Sequence, residues 1–289
     1  MERETPHHDA HPPRKIAQMV ARLGVAKANE NGLTLFVLAI LAGAFISMGA
    51  LFFTVVTTDT GLGFGLTRLV GGVSFCLGLI LVVIAGAELF TGNNLIAMAW
   101  ASGLVGTRAV LRNWLIVYLG NVVGCLGSIA LAIWGRTDQM ASGNVAATAV
   151  KIASTKADLT FSEGLARGIL CNALVCLAVW LALGGRGVAD KIVAIVFPIT
   201  AFVAMGFEHS IANWFFLPYG LALAGPGRVD PTGALVNLVS VTIGNILGGT
   251  LLVAGVYWTA YMRDGHGAHE PKPHPRAHEA REPELSILR

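Results

Sequence analysis

Charge is what this sequence has least of. Asp, Glu, Lys and Arg make up 13% of its 289 residues against 54% hydrophobic ones, a balance that excludes a soluble domain of this length and leaves a polytopic membrane protein. The net charge of +3 comes without a basic stripe or interleaved aromatics, which argues against a nucleic-acid partner. Cysteine is scarce too, and Cys76, Cys125, Cys171 and Cys176 all fall inside apolar segments. They lack metal-ligand spacing and a loop position that would favour disulfides, so they read as packing residues. Histidine is absent from the apolar segments with one exception, His209; His7, His8, His11, His266, His269, His274 and His278 lie in polar ends and read as solvated, not as a metal site. Neither a cofactor nor a metal is expected. Nor is a cleavable signal peptide, since the first apolar run starts only near Leu33 and is long enough to span.

What remains divides the chain into three parts. Residues 1–28 form an expected cytoplasmic segment, in which 1–13 read as disordered and Ile16, Met19, Val20 and Leu23 then recur at helical spacing among Arg14, Lys15, Arg22 and Lys27. Such a helix lies either along the membrane surface or against the protein's own loops. Residues 29–262 are an expected channel domain of six spans, at about 33–56, 68–101, 110–134, 162–183, 190–222 and 233–261. Residues 263–289 are polar, rich in Pro and His, and read as a disordered cytoplasmic tail.

The second and fifth segments are too long for single helices, and both carry one pattern near the middle. Gly86-Ala87-Glu88-Leu89-Phe90-Thr91-Gly92-Asn93 and Gly206-Phe207-Glu208-His209-Ser210-Ile211-Ala212-Asn213 share Gly-x-Glu-x-x-x-x-Asn. Unwound backbone at these points would leave each segment as two half-helices, which lipid tolerates only where the break lines a cavity or packs on protein. A second match, Gly120-Asn121-Val122-Val123-Gly124 with Gly244-Asn245-Ile246-Leu247-Gly248, recurs at nearly the same offset. The expected architecture is therefore an all-α membrane protein of six helices in a three-plus-three repeat. An odd number of spans per half makes the repeat inverted, so that the broken helices meet near the midplane. Orientation follows from the basic residues. The face of the N-terminus collects most of them, whereas the other face holds only Arg68, Arg136, Lys151, Lys156, Arg167 and Arg228, which puts both termini inside.

Ionisable residues at membrane depth cost several kcal/mol and mark function by default. His209 is the one such side chain that titrates near neutrality and so the candidate for proton exchange. Glu208 beside it could stabilise an imidazolium, but the pair Glu88 and Glu208 is better read as acceptors for the free N–H groups of the unwound segments. Thr91 supplies a hydroxyl that either faces a permeant or bonds its own helix. Phe75, Leu79, Leu89, Phe90 and Phe202 flank the breaks; singly they read as core, and together they could form dry constrictions that pass a small anion only once its charge has been lowered by a proton or a hydrogen bond.

These stretches, with Cys171-Asn172-Ala173-Leu174-Val175-Cys176-Leu177-Ala178, resemble the signature segments of the formate/nitrite transporter family over roughly residues 24–262. The resemblance implies an aquaporin-like protomer assembled as a homopentamer in a bacterial cytoplasmic membrane, each protomer with its own pore for a small monovalent anion and protons. It implies that His209 is the central histidine, Thr91 the threonine of the loop between half-helices and Asn172 a pore asparagine, with Phe75, Leu79, Leu89, Phe90 and Phe202 at the constrictions. It also implies that Lys156 is the external and Lys27 the cytoplasmic vestibule lysine; without it both read as solvated loop residues. Phe207 and the run from Leu69 to Leu81 resemble the formate branch most, while Thr91-Gly92-Asn93 departs from it, and nitrite and hydrosulfide channels share most of these residues. Two other classes stand against this reading. A neutral-solute facilitator of aquaporin type would share the repeat, yet paired Asn-Pro-Ala caps are missing, since Asn94 follows Asn93 and Trp214 follows Asn213. A membrane-embedded enzyme would need more than one His and two separated Glu.

Overall fold

The computed structural model describes residues 10–263, which are mostly helical, with no strand among them. Calls on residues 1–9 and 264–289, including most of the tail histidines, lie outside the described residues. In chain order the helices are α1 (Pro13–Asn29), α2 (Gly32–Val56), α3 (Phe64–Ala85), α4 (Phe90–Asn93), α5 (Ala97–Ala101), α6 (Thr107–Trp134), α7 (Asn144–Ala157), α8 (Phe161–Gly184), α9 (Val188–Ala204), α10 (Ser210–Leu223), α11 (Pro231–Leu247) and α12 (Val256–Tyr261). Five are long and apolar enough to cross a membrane: α2, α3, α6, α8 and the continuous run Pro231–Tyr261. The last is not a plain α-helix, because Gly248–Gly255 between α11 and α12 is wound as a π-helix. Helices α9 and α10 have 17 and 14 residues and follow one another across a short non-helical link.

Two elements differ from expectation. Residues 10–13 are ordered rather than free, because the His11 N–H donates to the carbonyl of Gly184 at the end of α8 (2.9 Å) and Pro13 occupies the first turn of α1. Helix α7 was read as loop; its Val145, Ala149, Ala153 and Ala157 are buried at four-residue spacing, a narrow stripe of mostly small side chains too weak in hydropathy to register as a span.

The core is built on close helix pairs. Helix α2 lies against α6 where a Cβ added at Gly43 would sit 2.0 Å from the Asn121 carbonyl oxygen, and one at Gly124 would sit 2.0 Å from that of Ile40. Only glycine permits this backbone approach, and it brings the α6 asparagines into the centre of the bundle. Helix α11 meets α8 in the same way. The outward faces stay apolar, with Leu111, Leu115, Leu119 and Val123 exposed along α6, as lipid or a neighbouring subunit requires. Helix α1 buries Ile16, Ala17, Val20, Ala21, Gly24 and Ala28. Part of that face shares a cluster with Trp180, Val253 and Ala254, so of the two expected placements the structure has the helix packed on the protein's own body.

Candidate functional site

Both Gly-x-Glu motifs sit at the ends of helices. Helix α3 stops at Gly86 (φ 80°) and α9 just before Gly206 (φ 75°), left-handed conformations that glycine adopts without strain. The chain then runs extended through Leu89 and His209 before α4 and α10 begin. Several of its exposed backbone groups find specific partners. Glu88 N–H donates to Leu38 O (3.2 Å) and Glu208 N–H to Arg167 O (3.3 Å). Phe90 N–H donates to Asn121 Oδ1 (2.9 Å), whose Nδ2 donates to the carbonyls of Ala39 (2.7 Å) and Glu88 (2.9 Å). Ser210 N–H donates to Asn245 Oδ1 (2.8 Å), whose Nδ2 donates to the carbonyls of Gly168 (2.8 Å) and Glu208 (3.0 Å). The asparagine of each Gly-Asn-x-x-Gly motif is thus the fastener of a break, while the glycines let its helix close in.

The glutamates are acceptors, but of side-chain donors; the N–H groups of Phe90 and Ser210 go to asparagines and those of Glu88 and Glu208 to carbonyls. Glu88 accepts from Lys27 Nζ (2.7 Å) and Asn93 Nδ2 (2.7 Å); Asn93 also donates to Asn113 Oδ1 (3.0 Å), and Asn113 Nδ2 to the carbonyl of Lys27 (2.9 Å). Glu208 accepts from Lys156 Nζ (2.9 Å to each oxygen) and Asn213 Nδ2 (2.7 Å); Asn213 also donates to Asn237 Oδ1 (2.7 Å), and Asn237 Nδ2 to the carbonyl of Lys156 (2.9 Å). The two clusters share these four links and differ at the edges: Lys27 Nζ also donates to Asn93 Oδ1 (3.0 Å), and Asn237 Nδ2 also to Glu208 (3.3 Å). Lys27 and Lys156 each stand in the last turn of their helix, α1 and α7, so neither is a solvated loop residue. Their ammonium groups pair with carboxylates that are nearly buried, the side chain of Glu88 being 14% exposed and that of Glu208 5%.

Between the clusters the breaks meet. Thr91 Oγ1 lies 3.0 Å from His209 Nε2, and both residues are buried. His209 Nδ1 accepts the N–H of Ala212 (3.0 Å), capping α10. An acceptor at Nδ1 leaves the proton on Nε2, so the ring is the neutral tautomer that donates to Thr91. Thr91 therefore does not spend its hydroxyl on its own helix. Asn172 Nδ2 reaches the Thr91 carbonyl (3.2 Å), Asn94 Oδ1 (2.8 Å) and the Asn245 carbonyl (2.7 Å), which ties the first break to α11.

On the Lys156 side the Phe75 and Phe202 rings meet edge to face with centroids 5.6 Å apart, and Phe202 stacks over His209 at 6.1 Å. They floor a cavity of about 460 Å³ lined also by Lys156, Glu208, Arg68, Lys151 and Arg167. Lys156 Nζ lies 5.2 Å from the Phe216 ring centroid. Arg68 had been counted only as an outer-face charge. Its guanidinium donates to the carbonyls of Val203 and Ala204 (Nε to Ala204 O, 3.0 Å), neutralising the C-terminal end of α9 where the break starts. Beyond the floor, Leu79, Leu89 and Phe90 are buried, Phe90 against the rings of Tyr118 (5.0 Å) and Trp114 (6.4 Å). Lys27 borders a second, far smaller cavity of about 40 Å³ between α1 and α8. Sequence reading missed the roles of Asn113, Asn121, Asn237 and Asn245, although a carboxamide in an apolar helix is costly enough to be a signal by itself.

Comparison with known proteins agrees with this geometry. Residues 14–259 match the sequence model described as formate/nitrite transporter. The chain belongs to the formate/nitrite transporter family. Within that family it is 42% identical over 271 residues to the formate channel FocA of Escherichia coli strain K12, covering 87% of this chain and 95% of that protein. It is 41% identical over 249 residues to a probable formate transporter of Methanothermobacter thermautotrophicus, covering 79% and 89%. Among solved structures, one described as a pentameric formate channel with formate bound superposes with a TM-score of 0.75 at 38% identity, over 80% of this chain and 98% of that one. Another, described as an ion channel of the family, gives 0.75 at 31% identity over 86% and 98%. Formate/nitrite transporters are membrane transport proteins, so this chain is a transporter and not an enzyme.

Proposed function

We propose that the chain is a channel for small monovalent anions, formate foremost, whose selective step takes place at the Thr91–His209 contact. That contact is the observation on which the reading rests: two half-helix breaks end on a neutral imidazole donor and a hydroxyl, 3.0 Å apart, beside the Phe75–Phe202 pair at the end of the vestibule. The names of the similar proteins support formate over nitrite. An anion gathered in the basic vestibule sheds water at Phe75 and Phe202 and takes a hydrogen bond from His209 Nε2 or Thr91 Oγ1, which lowers its effective charge before it passes Leu79, Leu89 and Phe90. Proton linkage runs through the same imidazole. The resting ring offers a hydrogen bond, and the proton transfer that linkage requires would first have to displace the Ala212 N–H from Nδ1.

The six-span reading counts α9 and α10 as one divided crossing and α3 with α4 and α5 as another, and the four links common to the two lysine clusters support the inverted repeat. It enlarges each repeat by one helix, since α1 and α7 hold equivalent lysines. We propose the same division of the chain as from the sequence, with both termini cytoplasmic in a bacterial inner membrane, Lys156 at the outer and Lys27 at the inner mouth, and a homopentamer like the similar structure described as pentameric. The test is the flux of formate, nitrite and glycerol into proteoliposomes at neutral and mildly acidic pH. Formate fastest, with a pH-dependent rate that His209→Ala abolishes, is the expected result. Faster nitrite would overturn the choice of anion, glycerol alone would overturn the pore reading, and an unchanged His209→Ala protein would overturn the proton linkage.

A further inference from the structure

The vestibule on the Lys156 side is several times larger than a small anion needs, and its walls suit a different guest. Six phenylalanines line it, Phe53, Phe64, Phe75, Phe202, Phe207 and Phe216, around a volume of about 460 Å³. Four cations, Arg68, Lys151, Lys156 and Arg167, face one carboxylate, Glu208. Two of the cations are already engaged, Lys156 by Glu208 and Arg68 by the carbonyls at the end of α9. Lys151 and Arg167 make no side-chain hydrogen bond or ion pair with the other described residues, Glu163 being only an electrostatic neighbour of Arg167. A small hydrated anion would satisfy these two charges and leave the phenyl walls in water. A planar aromatic ring bearing one negative charge would cover the walls by edge and face contacts and put its charge among the cations.

We propose that this vestibule is a binding site for aromatic monoanions, arylsulfonates and arylcarboxylates as a class, which seat above the Phe75–Phe202 pair without passing it and so occlude the permeation path. The narrowing at the cavity's end decides why such a guest stops there: the two rings meet edge to face, and His209, stacked on Phe202, lines the same end. The cavity beside Lys27, about 40 Å³ with that lysine as its single cation, has no room for a ring, so the vestibule is the side from which block is expected.

The occlusion rests on the channel reading, whereas the binding does not, and two measurements separate them. Benzenesulfonate, permanently charged and excluded by lipid, is titrated calorimetrically into the detergent-solubilised protein beside methanesulfonate and benzyl alcohol. It is then added outside proteoliposomes during formate uptake. Benzenesulfonate is expected to bind at least tenfold more tightly than either control and to slow uptake through the channels whose vestibule faces outward. Lys151→Gln with Arg167→Gln should raise its half-inhibitory concentration about tenfold, each variant compared with its own uninhibited rate, and Lys151→Arg with Arg167→Lys should restore it. Equal binding of benzenesulfonate and methanesulfonate, or a half-inhibitory concentration unmoved by the double glutamine variant, would overturn the proposal. Tight binding with no formate flux at all would uphold the site and count against the channel reading instead.

Discussion

Replacing Glu208 by Gln separates the two lysine clusters by energy. The side chain is 5% exposed and accepts from Lys156, Asn213 and Asn237, so the substitution removes the negative charge and turns an amide toward donors. Removing one partner of a buried pair costs about 3–5 kcal/mol. The side chain of Lys156 is 15% exposed and opens on the vestibule, which puts the loss at the lower end, about 3 kcal/mol. In the other cluster the side chain of Lys27 is 30% exposed, and water recovers most of its solvation, so Glu88→Gln should cost about 1 kcal/mol. At about 2–4 °C per kcal/mol the Tm of the purified protein should fall by roughly 9 °C and roughly 3 °C respectively. Adding Lys156→Met to Glu208→Gln removes the stranded ammonium and should regain part of the loss. Equal Tm values for the two glutamine variants, or a double variant less stable by the plain sum of its parts, would refute this assignment of the charge pair.

Other consequences are simpler to read. Gly124→Ala drives a Cβ to 2.0 Å from the Ile40 carbonyl and should abolish folded protein, whereas Gly127→Ala on the same helix meets nothing within 4 Å and should express normally in size-exclusion profiles. Thr91→Val leaves the His209 Nε2–H without its acceptor, at about 1–3 kcal/mol, and should cut formate flux about tenfold, with Thr91→Ser recovering most of it. Asn245→Ala strips the Ser210 N–H and two carbonyls of their partners and should lower Tm more than Ser210→Ala, which leaves those three bonds in place. All four cysteines are buried, so maleimide should label the protein only after unfolding.

The sequence carried the breaks openly, because Gly-x-Glu in an apolar stretch is a local violation that few contexts tolerate. The Gly-Asn-x-x-Gly match was visible as a repeat, but its work was not: the distance from Asn121 to Phe90 or from Asn245 to Ser210 exists only once α6 and α11 close on their neighbours. Glu88 and Glu208 were rightly read as acceptors and assigned the wrong donors for the same reason. Lys27 and Lys156 came to notice through the family resemblance alone, since their value lies in a helix end meeting a break from another part of the chain. Helix α7 escaped notice because a stripe of alanines buries little per residue, although its four-residue spacing was there to be counted.

The fastening of the breaks bears on how the protein works in time. Asn172 holds the Thr91 carbonyl, Asn94 and the Asn245 carbonyl together, and Asn121 and Asn245 each clasp a break from both sides. Asn121 and Asn245 work within their own halves, so of these fastenings rocking one half of the bundle past the other would sever only the Asn172 bonds to Thr91 and Asn94, along with the Thr91–His209 contact, each at a cost of about 1–3 kcal/mol. On the proposed channel reading those bonds stay closed as each solute goes by. Throughput would then be set by diffusion and dehydration, with the concentration dependence of a conduit in place of a carrier's turnover number.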